Sequence, residues 1–215
     1  MFIFSDRETT ASRKQTTLIE KLNTIERVVS PDGVSATYVR WGRSSCPDNG
    51  TELVYEGYAG GSHYTHGGGA ANYLCLPKDP TWSHYKDGHD GGHLIYGTEY
   101  EFGSRAREFF GKDIYQQDVP CAVCKTKRSN VLMIPAHNQC YDGWTMEYKG
   151  YLVAGHHSQA SATEFICLDG EAEMVEGGAA DQNGKLMYQV EASCGPLKCP
   201  PYVEGRELAC VVCSV

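Results

Sequence analysis

The pattern of apolar and polar positions divides the chain into two regions. Over residues 5–30 the apolar side chains are sparse and helically spaced, with Leu18, Leu22, Ile25 and Val29 at intervals of 4, 3 and 4. Such spacing places them on one narrow seam of an amphipathic helix. The stretch has no Gly, Pro, Cys or aromatic residue, and Pro31-Asp32-Gly33 closes it. About two heptads are too few to hold a coiled coil alone. The seam therefore reads either as the neck of a larger oligomer or as a helix folded back on its own domain.

Beyond Gly33 the spacing changes to short runs such as TYVRW, ELVYEGY, NYLCL, HLIYGTEYEF, NVLMI, TMEYKGYLVAG, TEFICL, LMYQVEA and LACVVC. They are rich in aromatic and β-branched residues and broken by Gly, Pro, Asp and Asn, which predicts many short β-strands. Pro77–Gly92 and Gly103–Asp118 read as long loops, and Gly60–Ala71 as a flexible tip or a site of close backbone packing.

Within this region the chain repeats itself. Cys46, Tyr55, Gly57, Tyr58, Tyr73, Leu74, Cys75 and Leu76 are answered by Cys140, Tyr148, Gly150, Tyr151, Phe165, Ile166, Cys167 and Leu168, and CAVC at Cys121–Cys124 by CVVC at Cys210–Cys213. Paired cysteines are offset by 94, 92, 89 and 89, so one alignment with short gaps carries all four. This is an internal duplication. The fold it predicts is all-β: a helical segment over 1–33, a first β lobe over 34–128 and a second over 129–215.

Ten cysteines in 215 residues change the picture of the compartment. An even, dense set points to disulfides and an oxidising environment; the alternatives are zinc binding or a redox role for the two CxxC pairs. Zinc modules keep their ligand pairs close together, and redox CxxC pairs open a helix, whereas these are far apart and end strand-like runs. The net charge of −8, with no basic cluster beyond Lys125–Arg128, argues against nucleic acid as partner. No apolar run approaches the roughly 20 residues of a membrane span, and Met1–Phe4 is too short for a signal-peptide core. Asn49-Gly50-Thr51 is a glycosylation sequon, or a chance triplet of a common kind.

Candidate chemistry concentrates in one loop. Asp79, Trp82, His84 and Tyr85 combine an aromatic plane with polar groups, the mixture that sugars require. Asp87, His89, Asp90 and His93 follow and could hold a divalent cation, the one cofactor the sequence suggests. Their spacing matches no standard site, and solvated surface histidines are the plainer account. No GxSxG, P-loop, HExxH or strand-linked GxGxxG is present, so no enzyme is expected.

The runs YVRWGRSSCP, LVYEGYAGGSHYTHGGGAANYLCLPKDPTW, YGTEYEF, DVPCAVC, LMIPAHNQCYDGWTMEYKGYLVAG and CGPLKCPPYVEGRELACVVC carry a resemblance over residues 36–215. The chain resembles the C-terminal non-collagenous domain of invertebrate short-chain, spongin-type collagens, itself distantly similar to that of type IV collagen. It departs from the pattern at its start, where a heptad-like stretch stands in place of a Gly-X-Y repeat. The resemblance implies two tandem disulfide-bonded β lobes and a trimer. It also implies a nested pairing, Cys46–Cys124, Cys75–Cys121, Cys140–Cys213 and Cys167–Cys210, with Cys194–Cys199 as a local extra. Spacing alone chooses none of these. The expectation is a secreted, non-enzymatic homotrimer that binds or builds extracellular matrix, with Leu18, Leu22, Ile25 and Val29 around its axis. The alternative is a multivalent lectin that binds glycans through the Asp79–Tyr85 loop; a secreted metal-dependent enzyme is a distant third.

Overall fold

The computed structural model describes residues 34–215, together with Gln15 and Lys21, which are helical and exposed. Leu18, Leu22, Ile25 and Val29 lie outside the described residues. Ten strands follow in order: β1 (Ala36–Trp41), β2 (Thr51–Gly61), β3 (Leu74–Pro77), β4 (Tyr96–Tyr100), β5 (Pro120–Thr126), β6 (Val131–Pro135), β7 (Thr145–Ala154), β8 (Ile166–Asp169), β9 (Lys185–Gln189) and β10 (Ala209–Ser214). Residues 34–215 are all-β, with one short helix among them, α1 (Ala106–Phe110), entered through a 3-10 turn at Gly103–Arg105.

Strand pairing recurs between the halves. In the first, β5 lies between β1 and β2, and β2 also pairs with β3 and β4. In the second, β10 lies between β6 and β7, and β7 also pairs with β8 and β9. The registers correspond, for Tyr58 faces Leu76 as Tyr151 faces Leu168, and Ala59 faces Cys75 as Leu152 faces Cys167. The shared YxGY motif has a steric cause. A Cβ on Gly57 would lie 1.9 Å from the Leu76 carbonyl oxygen, and one on Gly150 would lie 1.9 Å from that of Leu168. Only glycine lets those strands approach so closely.

Five disulfides join Cys46–Cys124, Cys75–Cys121, Cys140–Cys213, Cys167–Cys210 and Cys194–Cys199, the pairing the resemblance implies. The halves nevertheless share their largest core. Trp41, Tyr73, Tyr100 and Phe110 of the first pack with Val153, Ile166, Leu168 and Met187 of the second. Parallel pairing of β4 with β9, and of Trp41 with Leu168, carries the sheet from one half to the other.

One expectation changes. Gly103–Asp118, read as a loop, contains α1. Phe102, Ala106 and Phe110 recur every fourth residue and are all buried, and Gly111 ends the helix at φ 67°. A stripe of three residues is one helical turn too short to stand out from its surroundings, and the left-handed cap is a glycine as such termini favour.

Candidate functional site

The Asp79–His93 loop is exposed throughout. Trp82 and Tyr85 are 75% and 64% exposed, with ring centroids 6.4 Å apart. Asp79 and His84 are exposed beside them, so the loop offers an open aromatic pair with polar neighbours. The cation reading of the following residues is corrected. Asp90 pairs with Lys86 at 3.2 Å, while His93 Nε2 lies 2.8 Å from the Ser62 hydroxyl. Asp87 and His89 extend into solvent. Among the described residues no three His, Cys, Asp or Glu side chains converge to hold a metal ion.

A second cluster, which sequence reasoning missed, forms at a β-bulge. The pairing of β7 with β10 slips between Met146 and Tyr148, as that of β2 with β5 slips between Leu53 and Tyr55. The extra residue is Val54 in the first half, exposed, and Glu147 in the second, fully buried. A bulge re-aims the side chain it inserts. Here it turns a carboxylate into the seam between the halves. Glu147 Oε2 accepts from the Tyr38 hydroxyl at 2.8 Å and Asn49 Nδ2 at 3.0 Å; Oε1 accepts from Arg128 Nη2 at 2.7 Å and from the Ser214 hydroxyl. Burial works to raise the Glu147 pKa, but the bonds from Ser214, Arg128, Asn49 and Tyr38 outweigh it and hold it at about 2. The Tyr38 phenol is pushed up by burial and by the same carboxylate.

This cluster changes the reading of Asn49. Its side-chain nitrogen donates to the Met146 carbonyl at 3.2 Å as well as to Glu147, and its oxygen accepts from the Thr51 hydroxyl at 2.7 Å. The sequon thus serves as a bracket for Glu147. A glycan on that nitrogen would replace one of its two N–H groups and so cost one of these two bonds.

Nearby, Arg40 of β1 donates to Asp169 of β8 at 2.7 Å and to the Ser45 carbonyl at 3.0 Å, with its guanidinium over the Tyr148 ring. Arg40, Glu147 and Asp169 line a groove of about 640 Å³ that Phe109 and Tyr151 border. The buried charges among them are matched, Arg40 by Asp169 and Glu147 by Arg128, so the arrangement fastens the halves together. Buried charges require such partners.

An unmatched set lies where β4 meets the 178–183 loop. Glu99 Oε1 accepts from the amides of Gln182 and Asn183, while its buried Oε2 has no partner. Burial, then Glu99, then Asp181, push the Glu101 carboxyl from 4.5 up to about 7. Because the folded state raises this pKa, Glu101 favours folding at acidic pH, and that contribution is lost as pH rises from 4.5 through 7. Glu101→Gln is expected to raise stability by about 1–2 kcal/mol above pH 7, discounting the shift for partial exposure, and to change nothing below pH 4.5. Thermal melts of both proteins across that range check it; a gain that is equal at all pH values contradicts the assignment.

Among the described residues no helix is long and apolar enough to cross a membrane. Ten strands and five disulfides define the class: a disulfide-stapled all-β protein of a kind suited to oxidising surroundings. No known family model matches the chain.

Proposed function

We propose that this chain is a secreted, non-enzymatic module of the extracellular matrix that assembles as a homotrimer by repeating between copies the contact its own halves make. The observation that supports this is the one-sidedness of that contact. Trp41 of β1 pairs with Leu168 of β8, whereas among the described residues β6 pairs only with β10, and β3 only with β2. The corresponding β6-to-β3 junction is left open among the described residues. Tyr151, Ile166 and Leu168 are covered by Phe109, Phe110 and Trp41 of the first half. Their counterparts Tyr58 and Leu74 have no such cover and are 42% and 44% exposed.

The converse holds on the other side. Tyr73 inserts between the halves against Trp41 and donates to the Leu186 carbonyl at 3.2 Å, while its counterpart Phe165 is 60% exposed. One half thus keeps an empty receiving face, and the other an unused inserting residue. Contacts of this head-to-tail kind close into rings when the rotation allows. Three chains of two halves would make six equivalent contacts, and a heptad seam over residues 18–29 would set their register. Exposed apolar residues gathered on matching faces are the expected mark of such an interface.

Light scattering on the full chain is expected to give three times 23.7 kDa. Tyr58→Asp combined with Leu74→Asp should yield a monomer with unchanged circular dichroism. A monomeric parent, or a trimer that survives both changes, would overturn the reading. Exposure of Trp82 and Tyr85 favours the second reading, a multivalent lectin. Under it, Trp82→Ala abolishes glycan binding at that loop and leaves the mass of the assembly unaltered.

A further inference from the structure

We propose that the cleft between the turns at 63–66 and 156–159 is a binding site for a neutral mono- or disaccharide, distinct from the Trp82 loop. The turns are counterparts from the two halves and are built alike. In the first, the His66 amide donates to the His63 carbonyl at 3.0 Å and the Thr65 amide to His63 Nδ1 at 3.3 Å. In the second, the Gln159 amide donates to the His156 carbonyl at 3.0 Å and the Ser158 amide to His156 Nδ1 at 3.3 Å. Each histidine stands edge-on to a tyrosine farther along the chain, His63 to Tyr96 at 4.9 Å and His156 to Tyr188 at 5.2 Å.

The turns differ at their fourth residue. His66 packs against His63 at 5.1 Å and Tyr96 at 5.6 Å, so rings gather at that position. Gln159 is instead held by its own turn, where its Oε1 accepts from the His156 amide at 3.2 Å. Its Nε2 lies 3.5 Å from the Tyr188 hydroxyl. A cleft of about 470 Å³ opens beside it, walled by Tyr64 and Thr65 from one half and by His156, Ser158, Gln159 and Tyr188 from the other. Backbone bonds from Tyr64 to Gly184 at 3.1 Å and from Ser161 to Tyr64 at 3.0 Å fix the two walls together.

The lining selects the ligand class. Three flat rings, of Tyr64, His156 and Tyr188, line the cleft and suit the C–H side of a sugar. The Tyr64 and Tyr188 hydroxyls and the Gln159 amide, with the Thr65 and Ser158 hydroxyls behind them, suit its hydroxyl groups. His156 Nδ1 is engaged by its own turn, 2.8 Å from the Ser158 hydroxyl and 3.3 Å from the Ser158 amide, which leaves Nε2 as the ring nitrogen without a partner among the described residues. No Lys or Arg lines the cleft, so a sulfate or phosphate finds no charged partner, and no Asp or Glu is there to hold an amine. The volume lies in the lower part of the range for small-molecule sites, about 300–1,000 Å³.

The test is an NMR titration of the ¹⁵N-labelled full chain with the methyl glycosides of glucose, galactose, mannose and N-acetylglucosamine, and with a sulfated disaccharide as control. At least one neutral glycoside is expected to shift the Gln159 side-chain amide and the Thr65 and Ser158 backbone amides saturably. Gln159→Ala and Tyr188→Ala should each weaken that binding about tenfold or more, while Trp82→Ala leaves it unchanged. Spectra of the variants that match the parent elsewhere show that the fold is kept. Absence of saturable shifts at tens of millimolar, shifts that map to the Trp82 loop, unchanged affinity in both variants, or preference for the sulfated disaccharide would each overturn the proposal.

Discussion

Glu147→Ala is expected to lower stability by about 3–5 kcal/mol, which for a chain of this size corresponds to a fall in melting temperature of roughly 6–20 °C. The carboxylate has no solvent exposure and pairs with Arg128 at 2.7 Å. Its removal leaves the guanidinium, the Tyr38 hydroxyl and the Asn49 amide facing an empty space, and stranded donors cost more than the bonds contributed. The same group gives the protein an acid limit. With its pKa held at about 2, below the ordinary 4.5, Glu147 stabilises the fold at pH values above 4.5. That contribution, about 3 kcal/mol, is lost as pH falls from 4.5 through 2. Glu147→Gln, with the same shape and no charge, should therefore be destabilised at pH 7 and lose little more on acidification. Calorimetry at pH 7 and pH 3 with the disulfides intact measures both effects. Equal acid sensitivity in the parent and the Gln variant would remove Glu147 from this role.

The duplication explains which features the sequence made legible. Matched cysteines and the YxGY motif mark places where the backbone itself must repeat, since a glycine under a carbonyl and a half-cystine opposite its partner tolerate no substitute. Strand order followed from those anchors. What distinguishes the halves was not legible. Val54 and Glu147 occupy the same bulge, yet one faces solvent and the other the seam, because only the second half has Tyr38, Asn49 and Arg128 against it. Lys185 reads as an ordinary strand residue, but it is buried with its ammonium 4.5 Å from the centre of the Tyr73 ring and 3.1 Å from the Ala71 carbonyl. Each of these contacts joins residues more than 70 positions apart or depends on the other half, so no local pattern foretells it. The Asp87–His93 group failed as a cation site for the opposite reason. Residues close in sequence on an open loop need not converge in space.

Removing the disulfides one pair at a time should separate them by loop length. Cys75–Cys121 and Cys167–Cys210 close 46 and 43 residues and lie in the buried core of each half, whereas Cys194–Cys199 closes 5 and is exposed. On the chain-entropy account, losing either long closure costs about 4 kcal/mol and losing the short one about 2. The buried pairs carry a further cost when replaced by alanine, because their sulfur atoms help fill the shared core and its neighbours. Cys75→Ala/Cys121→Ala and Cys167→Ala/Cys210→Ala are thus expected to destabilise at least twice as much as Cys194→Ala/Cys199→Ala. The duplication adds a sharper condition, for the two core pairs span nearly equal loops between corresponding strands. Their costs should agree within about 1 kcal/mol if each half depends on its staple alike. Urea unfolding of the three double variants at neutral pH measures the differences. A local pair that proves as costly as either core pair would contradict the loop-length account, and strongly unequal core pairs would mean that the halves do not share the burden of stability.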